Sequence, residues 1–256
     1  MPEPTPTLTI EARGLRREFG KLTAVEGVDL AVRAGEVYGF LGPNGAGKTT
    51  TIRMLAGLLT PTRGEVRIGG LEYAKAGREI RAMSAFAPDT PPLYEHLTAR
   101  QFAAFVAELY GGRDDGFDAR LSTLFETLEL DQRADDLLKG YSHGMRKKAH
   151  LAAVLSTRPR VLFLDEPTNG LDPRSARRLK DLLLDVARSG ATVFLSTHLL
   201  ETAEELCDRI GVLFGGRMHA EGTVDELRAE HGGESLEEIF LRITDGGGAR
   251  EEGAPA

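Results

Sequence analysis

The sequence predicts a mixed α/β domain whose strand–helix core is interrupted by a helical insert. Three observations carry this reading. Near the N-terminus apolar residues recur at every second position, as in half-buried strands. A short apolar run then meets a glycine-rich turn and a helical pattern, the order of a βα unit. From about 98 to 155 the apolar spacing is helical almost throughout, and strand–helix alternation returns only afterwards.

Taken in order, Leu8, Ile10 and Ala12 mark one strand face and Val28, Leu30 and Val32 a second. Residues 37–41 form a mostly apolar strand, and Ile52, Leu55, Leu58 and Leu59 give 49–59 helical spacing. The insert repeats Phe102, Phe105, Val106 and Leu109, then Leu121, Leu124, Phe125 and Leu128. Beyond Arg160 come a strand at 161–164, a helix at 174–188 and a strand at 192–195. A helix from Leu199 and a strand at 210–213 follow. Leu236, Ile239 and Phe240 share one face of an amphipathic helix that closes the domain. The expected organisation is one domain over 1–244, with a core of about 1–89 and 159–244, an insert of about 90–158, and a disordered tail over 245–256.

Composition narrows the function classes. The chain has 256 residues, 41% apolar and 28% charged, ordinary for a globular protein that can bury a sizeable core. A formal charge of −7 argues against a nucleic-acid partner. Cys207 is the single cysteine, so an intrachain disulfide is excluded. The N-terminal residues lack the basic and apolar regions of a signal peptide. The longest apolar runs fall far short of the roughly 20 residues that span a bilayer. No direct membrane span is expected, and any membrane role is borrowed from a partner.

Gly42, Pro43, Asn44, Gly45, Ala46, Gly47, Lys48 and Thr49 match G-x-x-x-x-G-K-[ST] between a predicted strand and helix. In such a P-loop the glycines let backbone N–H groups wrap around phosphate at a positive helix end. Lys48 reaches the β- and γ-phosphates, and Thr49, followed by Thr50, turns a hydroxyl to Mg²⁺. At 161–166 an apolar strand ends in Asp165 and Glu166. Asp165 would hold the Mg²⁺ through water, and Glu166 would act as general base on the attacking water. By itself that pair reads equally well as a buried strand followed by an acidic turn.

The series of motifs resembles the ATP-binding subunits of ABC transporters. Residues 164–173 (Leu-Asp-Glu-Pro-Thr-Asn-Gly-Leu-Asp-Pro) look like the Walker B and D-loop, residues 141–148 (Tyr-Ser-His-Gly-Met-Arg-Lys-Lys) like the signature, and Ser196-Thr197-His198 like the switch histidine. The resemblance implies a P-loop NTPase (RecA-like) core with an N-terminal antiparallel β subdomain and the helical insert. It implies two subunits stacked head to tail around two ATP molecules, each held by one P-loop and the other subunit's signature. Ser142 and Gly144 would contact the γ-phosphate across that interface, while Ser142 also suits an N-cap. His198 would position the attacking water, Asp172 would shape the interface, and Phe19 would stack on adenine unless it serves the core.

Two departures stand out. His143 and Met145 replace the commonest signature residues, while Ser142 and Gly144 remain. Asp89 stands where the family has the Q-loop glutamine, and its shorter, charged side chain is expected to bind the metal through water. Asp89, the run Leu93-Tyr-Glu-His-Leu-Thr and the Tyr-Ser-x-Gly-Met signature resemble type-two ABC exporters. That implies an ATPase peripheral to the inner face of the cell membrane. Its partners would be an integral membrane permease and a second ATP-binding subunit, with a homodimer favoured. The alternative is a non-transport ABC ATPase acting on ribosome or DNA. His96, His150, His219 and His231 lack metal-ligand spacing, and Arg146, Lys147 and Lys148 read as a solvated helix face.

Overall fold

The computed structural model describes residues 8–110 and 113–248. Two long strands, β1 (Leu8–Phe19) and β2 (Leu22–Arg33), pair antiparallel through a tight turn. Their alternating burial follows from alternating apolar and polar residues. β4 (Arg63–Ile68) pairs with the free edge of β1, and the short β5 (Leu71–Glu72) extends that sheet.

The second sheet is built from β3 (Val37–Leu41), β6 (Ser84–Ala87), β7 (Val161–Asp165), β8 (Thr192–Thr197), β9 (Arg209–Phe214) and β10 (Arg217–Gly222). Its order is β10-β9-β3-β8-β7-β6, parallel throughout except for β10. Every residue of β3, β7 and β8 is buried, as continuous apolar runs must be when both faces are covered. Side-chain alternation divides them between two cores. Leu162, Leu164, Val193 and Leu195 face the core shared with the insert. Phe40, Phe163 and Phe194 face the β1–β2 sheet and the helix α1 (Lys48–Leu55). There Phe194 stacks on Tyr38 at 5.3 Å and 12° and also meets Phe40 and Phe163.

Parallel register brings the C-terminal ends of β3, β7 and β8 to one edge: Leu41 pairs with Thr197, and Asp165 with Ser196. Ligands of open α/β sheets bind at such an edge. The insert carries α3 (Ala99–Tyr110), α4 (Phe117–Thr127) and α5 (His143–Ser156), with no named strand between β6 and β7 among the described residues. The remaining helices are α2 (Tyr73–Met83), α6 (Pro173–Arg188), α7 (Leu200–Leu206), α8 (Val224–Glu230) and α9 (Leu236–Gly248).

The expected architecture is the one found, and the local differences have physical causes. α1 stops at Leu55 rather than 59: Gly57 turns left-handed at φ 69, and the N–H groups of Leu58 and Leu59 close onto Arg53 O. β4 and α2 carry little apolar pattern because only Val66, Ile68 and Ile80 of them are buried. α9 buries Leu236 and Ile239 and runs to Gly248, past the expected boundary at 244. The rest of the expected tail, and residues 1–7 and 111–112, lie outside the described residues.

On α5, His150 is 8% exposed, its ring centroid lies 5.9 Å from that of Phe102, and its Nδ1 has no partner. Burial pushes its pKa down to about 4, from 6.5. The folded state therefore stays unprotonated where the unfolded chain binds a proton, and stability falls as pH drops from 6.5 towards 4. Denaturant unfolding at pH 7.5 and pH 5 should show His150→Leu gaining about 2 kcal/mol on wild type at the lower pH. A pH-independent difference between the two proteins would refute this assignment.

Candidate functional site

The P-loop leaves β3 at Leu41 and enters α1 at Lys48. Gly47 caps the helix at φ 105, and a Cβ there would lie 2.5 Å from Ala24 O, so the loop can hug the β1–β2 sheet only with glycine. Gly42 N–H donates to Thr197 O at 3.3 Å, and Ala46 is buried beneath the loop. These contacts leave the α1 N-terminus open to a cleft of about 640 Å³. A phosphate fits this cradle because free N–H groups and a helix end converge on it.

Pro43, Asn44, Gly45, Gly47, Lys48, Thr49 and Thr50 line the cleft, and Phe19, Asp89, Asp165, Glu166 and His198 complete its expected lining. Lys48 Nζ donates to Gly42 O at 2.7 Å and Pro43 O at 3.2 Å, and stands 3.3 Å from Glu166 Oε1. That last contact is an ion pair without hydrogen-bond alignment. On the other side His198 Nδ1 lies 2.9 Å from Glu166 Oε2. The Glu166 carboxylate is thus held between an ammonium and an imidazole at the mouth of β7. Asp165 Oδ1 accepts hydrogen bonds from Thr49 Oγ1 at 3.2 Å and Ser196 Oγ at 2.6 Å. This is a hard-oxygen pair suited to a small divalent cation that takes its other ligands from water and phosphate.

At the opposite end Phe19 is 46% exposed, with the Arg17 guanidinium 4.6 Å from its ring centroid. Arg17 also donates to Thr60 O, which fixes it over the ring. Phe19 therefore presents aromatic surface to the cleft and does not belong to the core.

Ser142 and Gly144 do not line this cleft. Ser142 caps α5, accepting a hydrogen bond from Met145 N–H at 3.3 Å, and Gly144 lies against Gly170 and Leu171. Asp172 caps α6; the Ser175 N–H it accepts holds its carboxyl below the usual carboxylate range.

One expectation about charged residues needs correction. Lys147 and Lys148 are not solvated, being 2% and 8% exposed. The Lys147 ammonium reaches Asp89 Oδ1 at 2.8 Å, and Asn169 Nδ2 donates to the same oxygen at 3.2 Å. Asp89 Oδ1 thereby accepts from a lysine and an amide, while the residue lines the cleft. The usable signal was position: Lys147 precedes Leu151 and Val154 by one and two turns, and both are buried. Leu22, Ala24 and Asn169 also line the cleft without having been expected there. Ser196 was visible only as a neighbour of His198.

Comparison with known proteins gives the family. The family described as ABC transporter matches residues 25–169. The daunorubicin/doxorubicin resistance ATP-binding protein DrrA of Streptomyces peucetius is 41% identical over 240 residues, covering 94% of this chain and 72% of that protein. The linearmycin resistance ATP-binding protein LnrL of Bacillus subtilis is 34% identical over 232 residues, covering 91% and 75%. A solved ATP-binding subunit of an ABC transporter superposes with a TM-score of 0.87 at 34% identity, over 92% of this chain and 99% of that one. The chain belongs to the ABC transporter family, as an ATP-binding subunit with ATPase activity.

Proposed function

We propose that this chain drives an exporter of drug-like or lipid-like molecules by closing on ATP as a head-to-tail dimer of two copies and reopening on hydrolysis. The observation that carries the reading is the Glu166 carboxylate held between Lys48 and His198 at the edge of a P-loop cleft. Resistance and export are named for the relatives; here they are the inferred use of the same machinery.

The P-loop amides and Lys48 bind the phosphates, and Phe19 stacks on adenine. Thr49 and Asp165 would hold Mg²⁺, which would supply positive charge to offset that of the phosphates. Glu166 accepts a proton from the attacking water, and His198 holds the carboxylate in place and aligns it. Ser142 and the α5 N-terminus, with Gly144, complete the second copy's site. Neither residue lines the cleft of its own chain, which is what a site completed by a second copy requires.

A membrane permease supplies the path for the cargo, placing this subunit at the inner face of the cell membrane. No helix among the described residues is long and apolar enough to cross a membrane. The insert offers an apolar docking face: Tyr94 is 59% exposed, packs edge-on against Phe105 at 5.2 Å, and lies on the same subdomain as exposed Leu109.

Purifying a tagged copy from native membranes in mild detergent should recover a polytopic membrane protein in near-equal amount. Recovery with ribosomes or DNA instead would refute transport. Glu166→Gln should slow hydrolysis by roughly 10²–10⁴-fold while ATP still binds and a stable dimer accumulates in light scattering. Hydrolysis at the normal rate would remove Glu166 as the base. Lys48→Ala should weaken nucleotide binding about tenfold or more, read by titration with a fluorescent ATP analogue. Tyr94→Asp should reduce permease co-purification and coupled ATPase activity together, and unchanged values of both would place the docking face elsewhere.

A further inference from the structure

Lys147 sits in the first turns of α5, outside the nucleotide cleft, yet its ammonium is bound on all three of its donors. It donates to Asp89 Oδ1 at 2.8 Å, to Glu166 O at 2.9 Å and to Asn169 O at 2.9 Å. Three segments separated in sequence meet on this one atom: the loop after β6, the turn between β7 and α6, and α5 itself. A buried ammonium is tolerated only when paired and fully hydrogen-bonded, and both conditions hold here.

The contact with Glu166 bears on hydrolysis. Glu166 has a left-handed backbone, φ 48, which a residue with a side chain holds only when its surroundings impose it. Its N–H donates to Ser196 O at 3.1 Å, and its carbonyl accepts from Asn169 N–H at 3.2 Å as well as from Lys147 at 2.9 Å. The two peptide groups that flank the strained residue are therefore pinned from opposite sides. Rotation of either one would swing the Glu166 carboxylate out from between Lys48 and His198.

We propose that Lys147 is a positioning residue for ATP hydrolysis, holding the Glu166 backbone in its left-handed conformation, with Asp89 as the counter-charge that keeps the ammonium in place. Asp89 thereby acts on the reaction through Lys147 and Glu166. Loss of the ammonium lets the carboxylate drift, which slows the chemical step and leaves nucleotide binding intact. A 1 Å displacement of a reacting group is enough to cost on the order of a hundredfold in rate.

The test uses the full chain with steady-state ATPase kinetics, equilibrium binding of a fluorescent ATP analogue, and thermal unfolding midpoints. Lys147→Met should lower kcat about tenfold or more, with KM and analogue affinity within about twofold of wild type. Asp89→Gln leaves a buried cation without its counter-charge, while Asp89→Gln combined with Lys147→Gln offers a neutral amide pair. The double variant should exceed the product of the single effects on kcat by about fivefold. Three results would each overturn the proposal: unchanged kcat in Lys147→Met, a loss of nucleotide affinity as large as the loss in kcat, or strictly multiplicative effects in the double variant. Should Lys147→Met fail to fold, Asp89→Asn decides, since that carboxylate is about a third exposed. A threefold or greater drop in kcat at constant analogue affinity supports the proposal, and unchanged kcat refutes it.

Discussion

Two strand ends and the first turn of α1 meet on one carboxylate oxygen. Asp165 Oδ1, at the end of β7, accepts from Thr49 after β3 and from Ser196 on β8. Each donor arrives from a different part of the chain, and only the parallel register of β3, β8 and β7 brings them within reach. The oxygen is nearly buried, and a carboxylate so placed is stable only when its lone pairs are used. The P-loop, the acidic pair and the switch histidine inherit their spacing from this arrangement.

Around that point the site divides into parts of different character. The phosphate cradle is backbone geometry, set by glycines packed against the β1–β2 sheet. The Glu166 carboxylate is an electrostatic balance, with Lys48 on one side and His198 on the other. Phe19 is a partly exposed aromatic at a hairpin tip, kept in place by Arg17. The insert adds a different kind of constraint. Its helix α5 buries a lysine against the loops that carry Asp89, Glu166 and Asn169. The subdomain with the exposed aromatic face is thus in direct hydrogen-bonded contact with the hydrolytic end of the sheet.

The cores explain why these parts hold together. One lies between the sheet and the insert, a second between the sheet and the β1–β2 layer with α1, and a third between β9 and the helices α7, α8 and α9. Because alternate residues of β7 and β8 point into opposite cores, the central strands are clamped from both faces. The site occupies the one edge of the sheet where those strands stop and their loops begin.

The sequence by itself determined the α/β class, the helical insert, the P-loop, the acidic strand end and the histidine after β8. These are local patterns: hydrophobic period, glycine spacing, and the order of strand, loop and helix. It left α2 and β4 unread because they bury too few side chains to show a period. It also placed Lys147 in solvent. Only the tertiary structure decided otherwise, because a charge's environment depends on which distant segments surround it. Lys147 and Asp89 are 58 positions apart, and their pairing exists only once α5 has packed against β6 and the end of β7.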